Sequence, residues 1–144
     1  MIKSLFIIDD DPISIKICEF VISNTAFAES VLSFTNGKNA IDYFSEYFEK
    51  VKLNEVVPDA PDLILLDLNM PVMDGWGFME NFMRKYANRL VNTSIAILSS
   101  SVNPKDFMKS QQYDVIIDFI NKPFTVDLVN ELKQHEALSK HFNN

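Results

Sequence analysis

Asp62-Leu-Ile-Leu-Leu-Asp67-Leu-Asn-Met-Pro71 joins a short, wholly apolar run to an acid and then to a turn. Leu63 to Leu66 show no polar alternation, which suits a strand covered on both faces, as parallel strands are. The chain then bends through Pro71 and the pair Asp74-Gly75. A carboxylate at the C-terminal tip of a buried strand is poorly placed for packing and well placed for chemistry. Asp67 is therefore the position around which other groups must be sought.

On either side of this strand, β-rich and helix-periodic segments alternate. Leu5-Phe-Ile-Ile8 is a strand ending in Asp9-Asp10-Asp11, and Asp11-Pro12 has the cap-then-proline form that opens a helix. Ile13, Ile17, Phe20 and Val21 follow at helical spacing, as on one apolar stripe of a helix. Ser30 to Phe34 reads as a weaker second strand. Asn36 to about Lys50 reads as a helix with Ala40, Ile41, Phe44 and Phe48 on one face, and Val51 to Pro61 as a loop. Beyond Asp67, a helix is expected over 74–85, a strand over 94–98 and a short helix from Asn103-Pro104. A last strand runs over 115–120, and Thr125 caps a final helix carrying Leu128, Val129 and Leu132. Five strand–helix units imply an α/β fold: a doubly wound parallel five-stranded sheet, (βα)5, with helices on both faces. Ligands of such sheets bind beyond the C-terminal strand ends, where the strand order reverses.

The chain has 144 residues, enough for one domain with a full core. With 13 basic and 20 acidic residues it carries a net charge of −7, which argues against direct nucleic-acid binding and favours a basic partner or a bound cation. The single cysteine, Cys18, allows no intrachain disulfide and suits a reducing compartment. No apolar run approaches the ~20 residues that span a bilayer, and the N-terminus lacks a signal-peptide pattern. The expectation is a cytoplasmic protein with no membrane insertion.

Acids, hydroxyls and a lysine follow the strands: Asp9, Asp10 and Asp11 after the first, Asp67 after the third, Ser99 to Ser101 after the fourth, and Asn121-Lys122-Pro123 after the fifth. Each alone has a plain explanation. Acids often cap helices, serines line loops, a lysine before proline can be a surface turn, and Phe119 can be simple core. Coincidence at the ends of four strands is harder to explain that way. Clustered carboxylates repel and raise one another's pKa, and a hard divalent cation such as Mg²⁺ removes the conflict. One carboxylate can then act as a nucleophile toward phosphorus, with a lysine and a hydroxyl on the phosphoryl oxygens. No paired cysteines or spaced histidines suggest zinc. His135 and His141 are expected to be solvated.

These residues resemble the receiver domains of two-component response regulators, over essentially the whole chain. The resemblance rests on Asp9-Asp10, on Asp67 followed by Met70-Pro71 and Asp74-Gly75, on Ser99, and on Lys122-Pro123-Phe124. It implies a flavodoxin-like sheet of order 2-1-3-4-5 and a stand-alone receiver over 1–144 with no output domain. Asp67 would accept a phosphoryl group from a sensor histidine kinase or a histidine phosphotransfer protein. Asp10, Asp67 and the backbone carbonyl of Asn69 would bind Mg²⁺, with Asp9 acting through water. Lys122 would contact the phosphoryl group across a cis Lys122–Pro123 bond, Ser99 would swing toward it, and Phe119 would move as the coupled switch. The face formed by the fourth helix, fifth strand and last helix would then be read by a downstream protein, with this chain a monomer or a phosphorylation-linked dimer to which Phe142 could contribute. Tyr113 to Ile117 depart from the Gly-Ala that many relatives carry before the last strand.

Two other classes compete with the switch. A Mg²⁺-dependent phosphohydrolase with an aspartyl-phosphate intermediate would carry a second acid two residues after its nucleophile, where this chain has Asn69. A degenerate receiver acting only as an interaction module would lack site residues, and all are present. The expectation is therefore a phosphoacceptor and not an enzyme with a separate substrate.

Overall fold

A computed structural model describes residues 1–101 and 103–143. Five strands, β1 (Ile2–Ile8), β2 (Ala28–Phe34), β3 (Leu63–Leu66), β4 (Ser94–Ser99) and β5 (Ile116–Asn121), form one parallel sheet in the order β2-β1-β3-β4-β5. Between and after them run α1 (Pro12–Asn24), α2 (Gly37–Lys52), α3 (Gly75–Lys85), α4 (Pro104–Ser110) and α5 (Val126–Gln134). Each helix starts on a side-chain cap, namely Asp11, Asn36, Asp74, Asn103 and Thr125 in turn, whose oxygen accepts a backbone N–H of the first turn.

Strand side chains alternate between two cores. Leu5, Ile7, Leu63, Leu65, Ala96 and Leu98 face one side, where Cys18, Val21 and Ile22 of α1 and Val129 and Leu132 of α5 cover them. Phe6, Ile8, Ile64, Leu66 and Ile95 face the other, packed by Ala40, Ile41 and Phe44 of α2 and Phe78, Met79 and Phe82 of α3. Among its seven residues, α4 buries only Ser110. From β1 the sheet grows outward to β2 on one side and to β3 on the other, so the strand order reverses between β1 and β3. Ile8 lies level with Leu66, and the residues after them open into that crevice.

Several expectations need correction. In α1 the buried residues are Ser14, Cys18, Val21 and Ile22, while Ile13 is 70 % and Phe20 67 % exposed and Ile17 also faces solvent. This helix is apolar on most of its circumference, so two faces satisfy helical spacing, and only docking against the sheet selects one. Phe142 is no exposed patch: it lies parallel to Phe27, with ring centroids 5.5 Å apart, next to buried Leu138. His135 and His141 are half-buried rather than solvated. The Nδ1 of His135 accepts the Ala137 N–H at 3.1 Å, and the His141 carbonyl accepts from the N-terminal amine at 2.7 Å. The strands β1 and β2 begin earlier than their hydrophobic runs, because ladder pairing reaches back to Ile2 and Ala28.

Candidate functional site

Backbone pairing carries the acidic residues to one place. Beyond the strands proper, the Asp67 N–H donates to the Ile8 carbonyl at 2.8 Å and the Asp9 N–H donates to Phe34 at 3.0 Å. These bonds set Asp9 and Asp67 side by side across the crevice. At the other side of β4, the Lys122 N–H donates to Ser99 at 2.8 Å, and the Lys122–Pro123 bond is cis. Ligand oxygens of Asp9, Asp10 and Asp67 all lie within 4.8 Å of one another.

Burial divides the trio. Asp9 and Asp67 are 2 % and 4 % exposed, whereas Asp10 faces solvent. The Nζ of Lys122 stands 2.8 Å from Asp9 Oδ2 and 3.9 Å from Asp67 Oδ2. The short contact is an ion pair by distance, yet Asp9 Oδ2 receives no well-aligned hydrogen bond. Its other oxygen accepts the Asp11 N–H at 3.0 Å. The Asp67 carboxyl is pushed up to about 6, first by burial and then by the charge of Asp9, against the opposing pull of Lys122 and of the Asn69 N–H. Three carboxylates against one ammonium leave two negative charges at this edge. A buried carboxylate oxygen with no aligned donor, in an all-oxygen set with that surplus, fits a hard divalent cation.

The hydroxyl and aromatic positions lie on β4 and β5. Buried Ser99 turns its Oγ to its own loop, donating to the Ser101 carbonyl at 3.1 Å. On β5, Phe119 packs edge-on against Phe107 of α4, with centroids 5.9 Å apart. A bulge at Ile117, where Ile95 pairs with Ile116 but Ala96 with Asp118, sets this register. Asn69 is exposed, and its N–H reaches Asp67 Oδ1 at 3.4 Å. Asp11 is the α1 cap and bonds the Ile13 N–H at 3.0 Å. The Cys18 thiol is pushed up to about 12 by burial and then by Asp9, so it is inert as a nucleophile.

Two features have no clear sequence signal. The principal partner of Lys122 is Asp9 rather than Asp67, a choice made by distances between strand ends. A cleft beside the acids is lined by Ile13, Ile17, Lys122 and Phe124, and the exposure of Ile13 and Ile17 follows from how α1 docks.

Chemically, the arrangement puts a poorly solvated carboxylate, a cluster of acids able to hold a cation, and an ammonium within one small volume. Residues 5–134 match the family model described as response regulator receiver domain. A two component response regulator from Cytophaga hutchinsonii has a crystal structure that superposes with a TM-score of 0.82 at 28 % identity, covering 96 % of this chain and 98 % of that one. The sensory transduction protein BceR of Halalkalibacterium halodurans is 35 % identical over 82 residues, 57 % of this chain and 32 % of its own length. The probable C4-dicarboxylate response regulator DctR of the same organism is 28 % identical over 93 % of this chain and 51 % of its own length. The chain thus spans about half, or less, of these two curated relatives.

Proposed function

Since the chain belongs to the response regulator receiver family of two-component signalling, we propose that Asp67 is its phosphoacceptor and that the donor is a phosphohistidine on a sensor kinase or phosphotransfer protein. An oxygen of Asp67 attacks phosphorus, the phosphorus–nitrogen bond breaks, and the imidazole keeps the bonding electrons and takes up a proton. The product is an acyl phosphate on Asp67. The observation that carries this reading is the Asp67 carboxylate, buried at the tip of β3 with Asp9 and Asp10 within 4.8 Å and the Lys122 ammonium 3.9 Å away.

Asp10, Asp67 and the Asn69 carbonyl would hold Mg²⁺, with Asp9 acting through water. When bound, the cation supplies charge neutralisation for the incoming phosphoryl oxygens. Lys122 leaves its ion pair with Asp9 to meet the new dianion. Ser99 gives up the Ser101 carbonyl and donates to a phosphoryl oxygen, and Phe119 turns into the space released. The surface of α4, β5 and α5 changes with it and is read by a downstream protein. Exposed Ile13 and Ile17, on the cleft that also includes Lys122, give the donor protein an apolar seat beside the reacting carboxylate. Receivers are signalling switches rather than classical enzymes, and Asn69 in place of a second acid suits a retained phosphoryl group. Among the described residues, no helix is long and apolar enough to cross a membrane.

Incubation with Mg²⁺ and acetyl phosphate, followed by a phosphate-affinity gel, tests the proposal. A retarded species that is lost in Asp67→Asn and in excess EDTA is expected. An unretarded wild type, or a retarded Asp67→Asn, would overturn it.

A further inference from the structure

Trp76, the one tryptophan of the chain, follows a residue in direct contact with the phosphoacceptor segment. At Gly75 a Cβ would lie 2.5 Å from the Asp67 carbonyl oxygen and 2.7 Å from Leu68 Cα, so the first turn of α3 rests on the Asp67 backbone. The Trp76 indole reaches away from that contact to α4. Its Nε1–H donates to Asp106 Oδ1 at 2.9 Å, its ring stacks on Tyr113 with centroids 6.1 Å apart, and Lys109 Nζ lies 4.7 Å from the ring centroid. The residue after Asp106 is Phe107, the edge-on partner of Phe119.

Because α4 places no apolar side chain in either core, a few directed contacts determine its seat. The charge-assisted bond between Trp76 and Asp106 is half-buried and is the stronger kind of hydrogen bond. We propose that it is a latch holding α4 in its resting position and thereby opposing occupancy of the Asp67 site, an inference that rests on the phosphoacceptor reading above. When Phe119 withdraws from Phe107, the turn carrying Asp106 loses its second anchor. Movement of that turn must break or strain the bond to Trp76, which cannot follow because Gly75 is wedged against Asp67 and Leu68. The bond thus favours the resting conformer over the occupied one. By linkage, whatever factor it contributes to that preference also weakens binding of a phosphoryl mimic at Asp67. Trp76 and Asp106 are positioning residues: neither touches the reacting atoms.

The test titrates the full chain with beryllium fluoride and Mg²⁺ by calorimetry, with phosphate-affinity gels run in parallel. Trp76→Phe keeps an aromatic ring against Tyr113 and removes the donor, leaving a smaller ring under Lys109. It is expected to bind the mimic roughly 3–10-fold more tightly than wild type, less than the roughly 10–100-fold that complete loss of a charged hydrogen bond would give, because the bond is half-exposed to water. Asp106→Asn, which removes the charge, should shift affinity the same way by less, and the double variant should bind no more tightly than Trp76→Phe. In the wild type the indole emission should change at saturation as its partner leaves. Unchanged or weakened affinity in both single variants, or an emission unmoved at saturation, would overturn the latch while leaving the phosphoacceptor reading intact. A wild type that neither binds the mimic nor shows a gel shift would bring down both.

Discussion

Replacing Asp67 by asparagine should stabilise the metal-free protein, although it removes the group on which the proposed function depends. The carboxyl is raised from its ordinary 3.8 to about 6, by burial and then by Asp9. At about 1.4 kcal/mol for each tenfold change in a proton-binding constant, holding it ionised at neutral pH costs roughly 3 kcal/mol if taken in full. Water at the open edge of the sheet screens part of this, which leaves ~1–2 kcal/mol. Asparagine carries no charge, can still accept the Asn69 N–H, and has an NH₂ group that can donate to the underbonded Asp9 Oδ2. For a chain of this size the gain corresponds to a melting temperature higher by roughly 2–8 °C. A folded-state pKa raised above the unfolded one adds stability that is fully present below the unfolded value and is lost as pH rises through the folded value. The advantage of Asp67→Asn should therefore be full at pH 7.5, shrink as pH falls through about 6, and vanish near 3.8. Thermal melts followed by circular dichroism in EDTA across this range measure it. A variant that melts at or below wild type at pH 7.5, or an advantage that does not change with pH, would refute the account of the site as a cluster of conflicting charges.

Three further outcomes follow from the same geometry. Mg²⁺ at ten times its dissociation constant should stabilise wild type by about 1.4 kcal/mol and leave Asp67→Asn nearly unmoved, a contrast that differential scanning calorimetry resolves. Gly75→Ala would drive a Cβ to 2.5 Å from the Asp67 carbonyl oxygen; a loss of roughly 2–3 kcal/mol is expected by urea titration, and wild-type stability would contradict the close packing of α3 on the site. Val72 is 79 % exposed and holds φ at 69° in a γ-turn closed by the Met73 N–H on the Pro71 carbonyl at 2.8 Å. Val72→Gly relieves a strained β-branched residue without losing packing, so the urea midpoint should rise by the equivalent of about 1 kcal/mol.

The acids at the strand ends were legible because their signal is local: an apolar run, an acid and a turn announce a strand tip wherever the strand lies. Asp9 and Asp67 are indeed brought together, while Ser99 ends β4 and Lys122 follows β5. The helix starts at Asp11, Asn103 and Thr125 were legible for the same reason, since a cap bonds the turn that follows it. The facing of α1 was not. Its apolar residues satisfy two stripes, and choosing the one with Cys18 and Ile22 required the sheet against which it packs. Phe142 was equally ambiguous, because nothing near it in sequence points to Phe27.

By itself, then, the sequence determined the alternation of strands and helices, the parallel sheet and the residues that crown its edge. All of these depend on periodicity and capping within a few residues along the chain. Only the tertiary structure decided that Lys122 pairs first with Asp9, that Asp67 is pushed toward neutrality by burial, that Ile13 and Ile17 stay exposed beside the acids, and that Trp76 reaches Asp106 thirty residues away. Those facts are distances and desolvation between segments remote in sequence. Spacing along a chain cannot encode them until the sheet has set the strand ends side by side.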